Sequence, residues 1–264
     1  MPRPPRVYKT PAIVLRQRKL GETDKIITLY TAEYGKVDAV AKGVRRVKSR
    51  LAGNVEPLSH GSFLVAHGRN LDIITQVQSI ESFQPLHDDL GRLSHALYAA
   101  ELLDRATEER SENFALYGLL LDTLRRLAGR DHLERTLRYY EMAILGQLGY
   151  KPELQQCVVC GAELVRGKVV RWAASLGGVV CSNCRPQNTA LSTLSPSTLN
   201  ALRVLQSENF QDIVELDLGH DTAVALEQLL REAIHHALDQ DVRSAAFLDE
   251  VRKRPRRHRR AGIQ

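Results

Sequence analysis

Residues 35–53 read GKVDAVAKGVRRVKSRLAG, and the fold turns on how that stretch is parsed. Val37, Ala39 and Ala41 alternate with Asp38 and Lys42, the period-two pattern of a half-buried strand. The strand breaks at Gly43 into a run holding Arg45, Arg46, Lys48 and Arg50. With Lys42 before them, these cations have no acid among them after Asp38. A small sheet that ends in a dense cationic loop suits the phosphate backbone of a nucleic acid. On charge alone it suits a solvated surface loop equally well.

The flanking segments extend the sheet. Ala12–Leu15 is a short apolar strand, Gly21–Asp24 supplies a turn, and Lys25–Thr31 is rich in β-branched and aromatic residues. Ser62–Ala66 and Leu71–Val77 read as a hairpin, because His67-Gly68-Arg69-Asn70 between them is turn chemistry. Five short strands within about 70 residues, separated by Gly-bearing turns, fit a small closed barrel of the OB-fold type. A sandwich fragment is the competing arrangement.

From His87 the period becomes helical. Leu90, Leu93, Leu97, Ala100 and Leu103 place one apolar stripe on a helix, and a second helix is expected over Glu112–Leu127. Asp131 and Glu134 form a capping box for a third, with a stripe of Leu133, Leu137, Tyr140, Ile144 and Leu148 that stops at Gly149 and Pro152. Ser195-Pro196 starts a helix through Leu205, and a last one is expected over Thr222–Leu238. The chain closes in VRKRPRRHRRAGIQ, which reads as a disordered basic tail.

The 264 residues, 43% hydrophobic and 26% charged, are those of an ordinary globular protein with a sizeable core. No apolar run approaches the ~20 residues that cross a bilayer, and MPRPPRVYKTP lacks the apolar segment of a secretory signal. The cytoplasm is therefore the expected compartment. The net charge of +6 hides a partition. Residues 1–55 carry thirteen Lys/Arg against four Asp/Glu, residues 252–264 seven against none, and residues 56–251 seventeen against twenty-seven. Basic ends on an acidic body point to a polyanion at the ends.

All four cysteines fall in one window, as Cys157-x2-Cys160 and Cys181-x2-Cys184. A two-residue gap lets both sulfurs of a knuckle face one tetrahedral ion, and two such pairs match a four-thiolate zinc site. Between them Lys168–Ala174 and Gly178–Val180 read as a hairpin, the build of a zinc ribbon. Two disulfides are disfavoured by the expected compartment, and four free thiols by the confinement of every cysteine to a C-x-x-C pair. Four thiolates leave no position for water, so one structural Zn2+ is expected. His132-Leu133-Glu134 ahead of Cys157 echoes the zinc deaminase signature, but Gln156 stands where that signature has Pro, and Cys181 and Cys184 would have no role. Phosphate-loop, dinucleotide, nucleophile-elbow and H-E-x-x-H motifs are missing from the sequence. No enzyme is expected.

Motifs from separate regions agree in order and spacing. They are Gly21-Glu22-x-Asp24, Thr28-Leu29-x-Thr31, Gly35-Lys36, Ala41-Lys42-Gly43, Arg45-Arg46, Ser49-Arg50, Leu148-Gly149-Tyr150-x-Pro152 before the first knuckle, and Gly177-Gly178 before Cys181. In this the chain resembles the RecO family of bacterial recombination mediators, over nearly its whole length up to the last helix. The Arg/Lys tail after Val251 matches no part of that pattern.

The resemblance implies an α+β chain with an N-terminal OB-fold, a helical body and a zinc element packed on it. The expected division is 1–82 for the barrel, 83–251 for the helical part with the zinc ribbon-like element at 157–184, and 252–264 for the tail. It also implies binding of single- and double-stranded DNA, annealing of complementary strands, and help to RecA on DNA coated with single-strand-binding protein. The partners implied are RecR, the acidic C-terminal tail of single-strand-binding protein and, less directly, RecF. Lys42, Arg45, Arg46, Lys48 and Arg50 are the expected phosphate contacts, with Arg16, Arg18 and Lys19 extending the track. The module offers Tyr8, Tyr30, Tyr34 and Phe63 as its few aromatics, so stacking is expected to be secondary to charge. A ribosome- or RNA-associated barrel protein with a zinc ribbon is the rival reading, and a purely structural adaptor a third.

Overall fold

The computed structural model describes residues 6–129, 132–165, 167–207, 210–216, 218–239 and 242–253. Asp131, expected as a helix cap, and residues 254–264 of the basic tail lie outside them.

Five strands come first: β1 Val7–Leu20, β2 Asp24–Thr31, β3 Gly35–Ala41, β4 His60–Ala66 and β5 Asp72–Glu81. They close a barrel in the order β1-β2-β3-β5-β4, antiparallel except where β3 meets β5 in parallel. β1 runs well beyond Ala12–Leu15, because it pairs with β4 along its first half and with β2 along its second, across a bulge between Val14 and Arg16. Its apolar run is unbroken for a physical reason. Ala12 and Val14 face the barrel interior, while Ile13 and Leu15 pack into the helical body. β2 divides likewise, with Ile27 and Leu29 inside the barrel and Tyr30 against the helices. Strands buried on both faces need not alternate with polar residues.

The helices are α1 Gln84–Asp88, α2 Leu90–Ala106, α3 Phe114–Ala128, α4 Leu133–Gln147, α5 Pro196–Leu205, α6 Phe210–Glu215, α7 His220–Leu238 and α8 Ser244–Lys253. The start at Ser195 is as expected, its hydroxyl accepting from the Thr198 N–H at 3.0 Å. The α2 stripe is corrected. Leu90 is exposed and Leu93 and Leu97 only half-buried, whereas Ser94, His95, Tyr98 and Leu102 are buried with Ala100 and Leu103. α2 contacts the barrel, α3, α4 and α8, so it is surrounded and has no single inner face. The helix expected to be last is followed by α8, and Arg252 and Lys253, assigned to the tail, close that helix. Between α4 and α5, β6 Val170–Ala173, β7 Gly178–Val180 and β8 Ser192–Leu194 form a three-stranded antiparallel sheet. No helix among the described residues is long and apolar enough to cross a membrane.

Candidate nucleic-acid interface and metal centre

β3 delivers the chain to the cationic loop at one end of the barrel. Gly43 turns it at φ +63°, a conformation that side chains disfavour, and its N–H donates to Asp24 Oδ1 at 2.7 Å. The Gly43 N–H and the Thr23 hydroxyl, with Arg46 and Lys42 nearby, hold the Asp24 carboxyl below its ordinary pKa. Val44 inserts into the barrel core and anchors the loop from beneath. The Arg45 N–H donates to Thr23 O at 2.9 Å, and its guanidinium reaches Glu22 O at 2.7 Å, which ties the loop to the β1–β2 turn.

Lys42, Arg45, Arg46, Lys48 and Arg50 are all exposed on this one loop. The ion pairs found among the described residues include none of these five. Arg16 and Arg18 differ: Arg16 Nε donates to Asp104 on α2 at 2.6 Å, and Arg18 pairs with Asp38 at 2.8 Å. Both guanidinium groups stay half-exposed but each already has a carboxylate. Lys19 is exposed opposite Lys25, which is itself bonded to Gln17 at 2.5 Å. The structure thus gathers five of the eight expected cations into one patch and commits two others to internal pairs.

The four cysteines that could hold a metal ion lie on two turns packed against β6 and β7. The Gly161 N–H bonds back to Cys157 O at 2.8 Å, and the Val158 N–H to Val179 O at 2.9 Å, which seats the first knuckle on the sheet. The sulfurs of Cys157, Cys160, Cys181 and Cys184 all lie within 4.8 Å of one another, and the cysteines are free thiols. Burial opposes ionisation of Cys157, yet backbone N–H groups of Cys181, Cys160 and Val159 aimed at its sulfur bring its pKa down to about 6. Contacts with Cys160 and Cys181 push Cys184 up to about 12. Four sulfurs this close ionise together only around a cation, so the donor set fits a metal ion. Glu134 of the deaminase-like motif has another role. It accepts from His95 Nε2 at 3.1 Å and from Arg252, joining α4 to α2 and α8.

A second constellation, at the other end of β3, escaped the sequence reading. The Tyr8 ring lies 4.5 Å from that of Tyr34 and 4.9 Å from that of His67, while the Tyr8 hydroxyl donates to Asp72 at 2.8 Å. Arg110, between α2 and α3, bonds the same carboxylate at 2.9 Å. These residues come from four separate segments, and the only local signal, His67–Asn70, marks a turn.

The family models for the recombination protein O N terminal and C terminal match residues 6–83 and 87–246. A protein named DNA repair protein RecO from Roseiflexus sp. (strain RS-1) is 40% identical, over 94% of this chain and 87% of its own length. Proteins of the same name from Pelotomaculum thermopropionicum and Dehalococcoides mccartyi (strain CBDB1) are 37% and 35% identical, over 95% and 94% of this chain and 96% and 97% of their own lengths. With a closed five-stranded barrel, a helical body and a four-cysteine cluster already in place, the chain belongs to the RecO family of DNA repair proteins.

Proposed function

We propose that the protein is a non-enzymatic recombination mediator. It binds single- and double-stranded DNA through the Gly43 loop, anneals complementary strands, and helps load RecA onto DNA coated with single-strand-binding protein. The observation that carries this is the loop itself: five exposed cations that form no ion pair among the described residues, on one end of the barrel. Annealing requires no covalent step. Two strands repel, and a surface that neutralises phosphates while leaving bases free lowers that barrier. RecR, the acidic tail of single-strand-binding protein and RecF are the proposed protein partners, and the nucleoid in the cytoplasm the place of action. The four thiolates hold one Zn2+ in a closed structural role, Cys157, Cys160, Cys181 and Cys184 supplying every ligand.

If about five phosphates are neutralised, log affinity falls with log salt at a slope of about −3.5 on single strands and −4.5 on duplex. Arg45→Glu/Arg46→Glu flattens that slope and abolishes annealing of strands precoated with single-strand-binding protein. A flat salt response in the wild type, or undiminished annealing by the variant, defeats the reading. Tighter binding to RNA than to matched single-stranded DNA favours the RNA-associated alternative.

A further inference from the structure

The aromatic constellation at the opposite mouth of the barrel has chemistry that the cationic loop lacks. β3 runs from Gly35, next to Tyr34, to Ala41, just before the loop, so the two ends lie about 20 Å apart. We propose that this mouth is a stacking site for unpaired bases of single-stranded DNA. The inference rests on the DNA-binding reading above, and adds a component that recognises bases where the loop recognises phosphates.

The rings are held firmly and yet reach solvent. Tyr8 is 6% exposed and forms the floor, whereas Tyr34 is 36% exposed and the His67 side chain 41%. Asp72, 3% exposed, is the fixed point beneath them. It accepts from the Tyr8 hydroxyl, from Arg110 and from the Gly68 N–H at 3.3 Å, with His67 Nδ1 at 3.5 Å. The turn that carries Tyr34 is fixed as well. Its N–H donates to Thr31 Oγ1 at 2.9 Å, and that hydroxyl donates to Gly35 O at 3.0 Å.

Arg110 sits at φ +57°, a backbone conformation arginine seldom adopts, held by its N–H bond to Lys36 O at 2.8 Å. This conformation brings a planar guanidinium, its side chain 53% exposed, to the edge of the aromatic cluster. Two accessible rings and a guanidinium are three π-faced groups on a rigid support. Such groups accept any base face, because stacking needs a plane and not a cavity. Their rigidity means that little freedom remains to be lost when a strand docks.

The test compares three probes on the full-length protein: oligothymidylate, a wholly abasic strand of the same length, and a blunt duplex. The wild type should prefer the base-bearing strand over the abasic one by about tenfold or more, given the strength of base–aromatic stacking. Tyr34→Ala/His67→Ala should erase that preference while leaving abasic and duplex binding unchanged, and Tyr34→Phe should retain it. Equal binding of base-bearing and abasic strands by the wild type overturns the stacking site, as does a preference that survives the double substitution. Salt-sensitive binding of all three probes without preference removes this site alone. Failure to bind any of them removes the DNA-binding reading as well.

Discussion

Gly35 is constrained twice over. It turns the chain at φ +62°, and a Cβ placed there would lie 2.0 Å from the carbonyl oxygen of Ser111. That contact is with backbone of the segment bridging α2 and α3, where the Arg110 N–H meets Lys36 O, so it cannot be relieved by a rotamer change. Gly21 has a similar φ of +58° but nothing within 4 Å of its Cβ position. The pair separates conformation from space. Gly21→Ala should cost about 1 kcal/mol, the left-handed strain alone. Gly35→Ala should cost about 3 kcal/mol or more, since an overpacked contact adds to that strain. Urea denaturation midpoints of the two variants check this, and equal shifts would mean that the Ser111 backbone yields freely. The sequence marks Gly21 as part of a turn and puts Gly35 at the opening of a strand, but the approach of residue 111 to residue 35 is a tertiary fact that no local pattern carries.

α8 packs along α2 and buries Leu248, and charge ties it to three other helices. Glu101 of α2 accepts the N–H groups of Arg243 and Ser244 at 3.0 and 2.7 Å, capping α8 from another helix. Arg252 bonds Glu134 of α4 and Glu227 of α7, and Arg231 pairs with Asp249 at 2.5 Å. Burial raises the pKa of Glu134, but His95, Arg252 and Arg138 outweigh it and bring the group down to about 2. For Glu101 burial is likewise outweighed, by bonds from Ser244, Arg105 and Arg243, and Arg231 holds Asp249 low. Groups with lowered folded pKa stabilise above their ordinary values and lose that contribution as pH falls. The docking of α8 is therefore full above about pH 4.5, the ordinary glutamate value, and weakens from there towards 2. Protection against amide exchange at residues 244–253, relative to the intrinsic rate at each pH, should fall over this window before that of the barrel strands, and Glu134→Gln should bring the loss to higher pH. Simultaneous release of barrel and helix would count against the charge clamp. This dependence also explains what pattern-reading could see. α5 announces itself by its Ser195 cap and the proline that follows, and the cysteine knuckles by local spacing. α8 buries Leu248 as its one fully enclosed side chain, with Ala245 packed beside the core, so its apolar stripe is short and its charged partners on α2, α4 and α7 lie outside any local pattern. The cations at Arg16 and Arg18 look equivalent to those of the loop until Asp104 and Asp38 are placed beside them.

At the scale of the whole molecule, the barrel and the helical body are coupled through β1 and β2, whose alternate side chains serve two cores. Polar ties reinforce this coupling. Lys36 Nζ reaches the carbonyls of Asp104 and Thr107 at the end of α2, and His60 Nε2 lies 2.8 Å from the Tyr117 hydroxyl on α3. The metal element joins the same unit. Within β6, Trp172 packs into the helical core, while Ala173 packs with Cys157 and Val180. We accordingly propose that residues 1–82 and 83–251 unfold as one body. Trp172, the only tryptophan in the chain, and far-UV circular dichroism should report the same denaturation midpoint. A fragment ending at residue 83 should show no cooperative transition, because Ile13, Leu15, Tyr30 and Leu58 would lose their packing against the helices. Cys181→Ala, or chelation of the metal, should lower the common midpoint, since ligand binding to the folded cluster contributes folding free energy. DNA binding should then fall only in proportion to the folded fraction, because the cationic loop is on the barrel and not on the metal element. A Cys181→Ala protein that keeps its midpoint and loses all DNA affinity would instead place the binding surface on the ribbon.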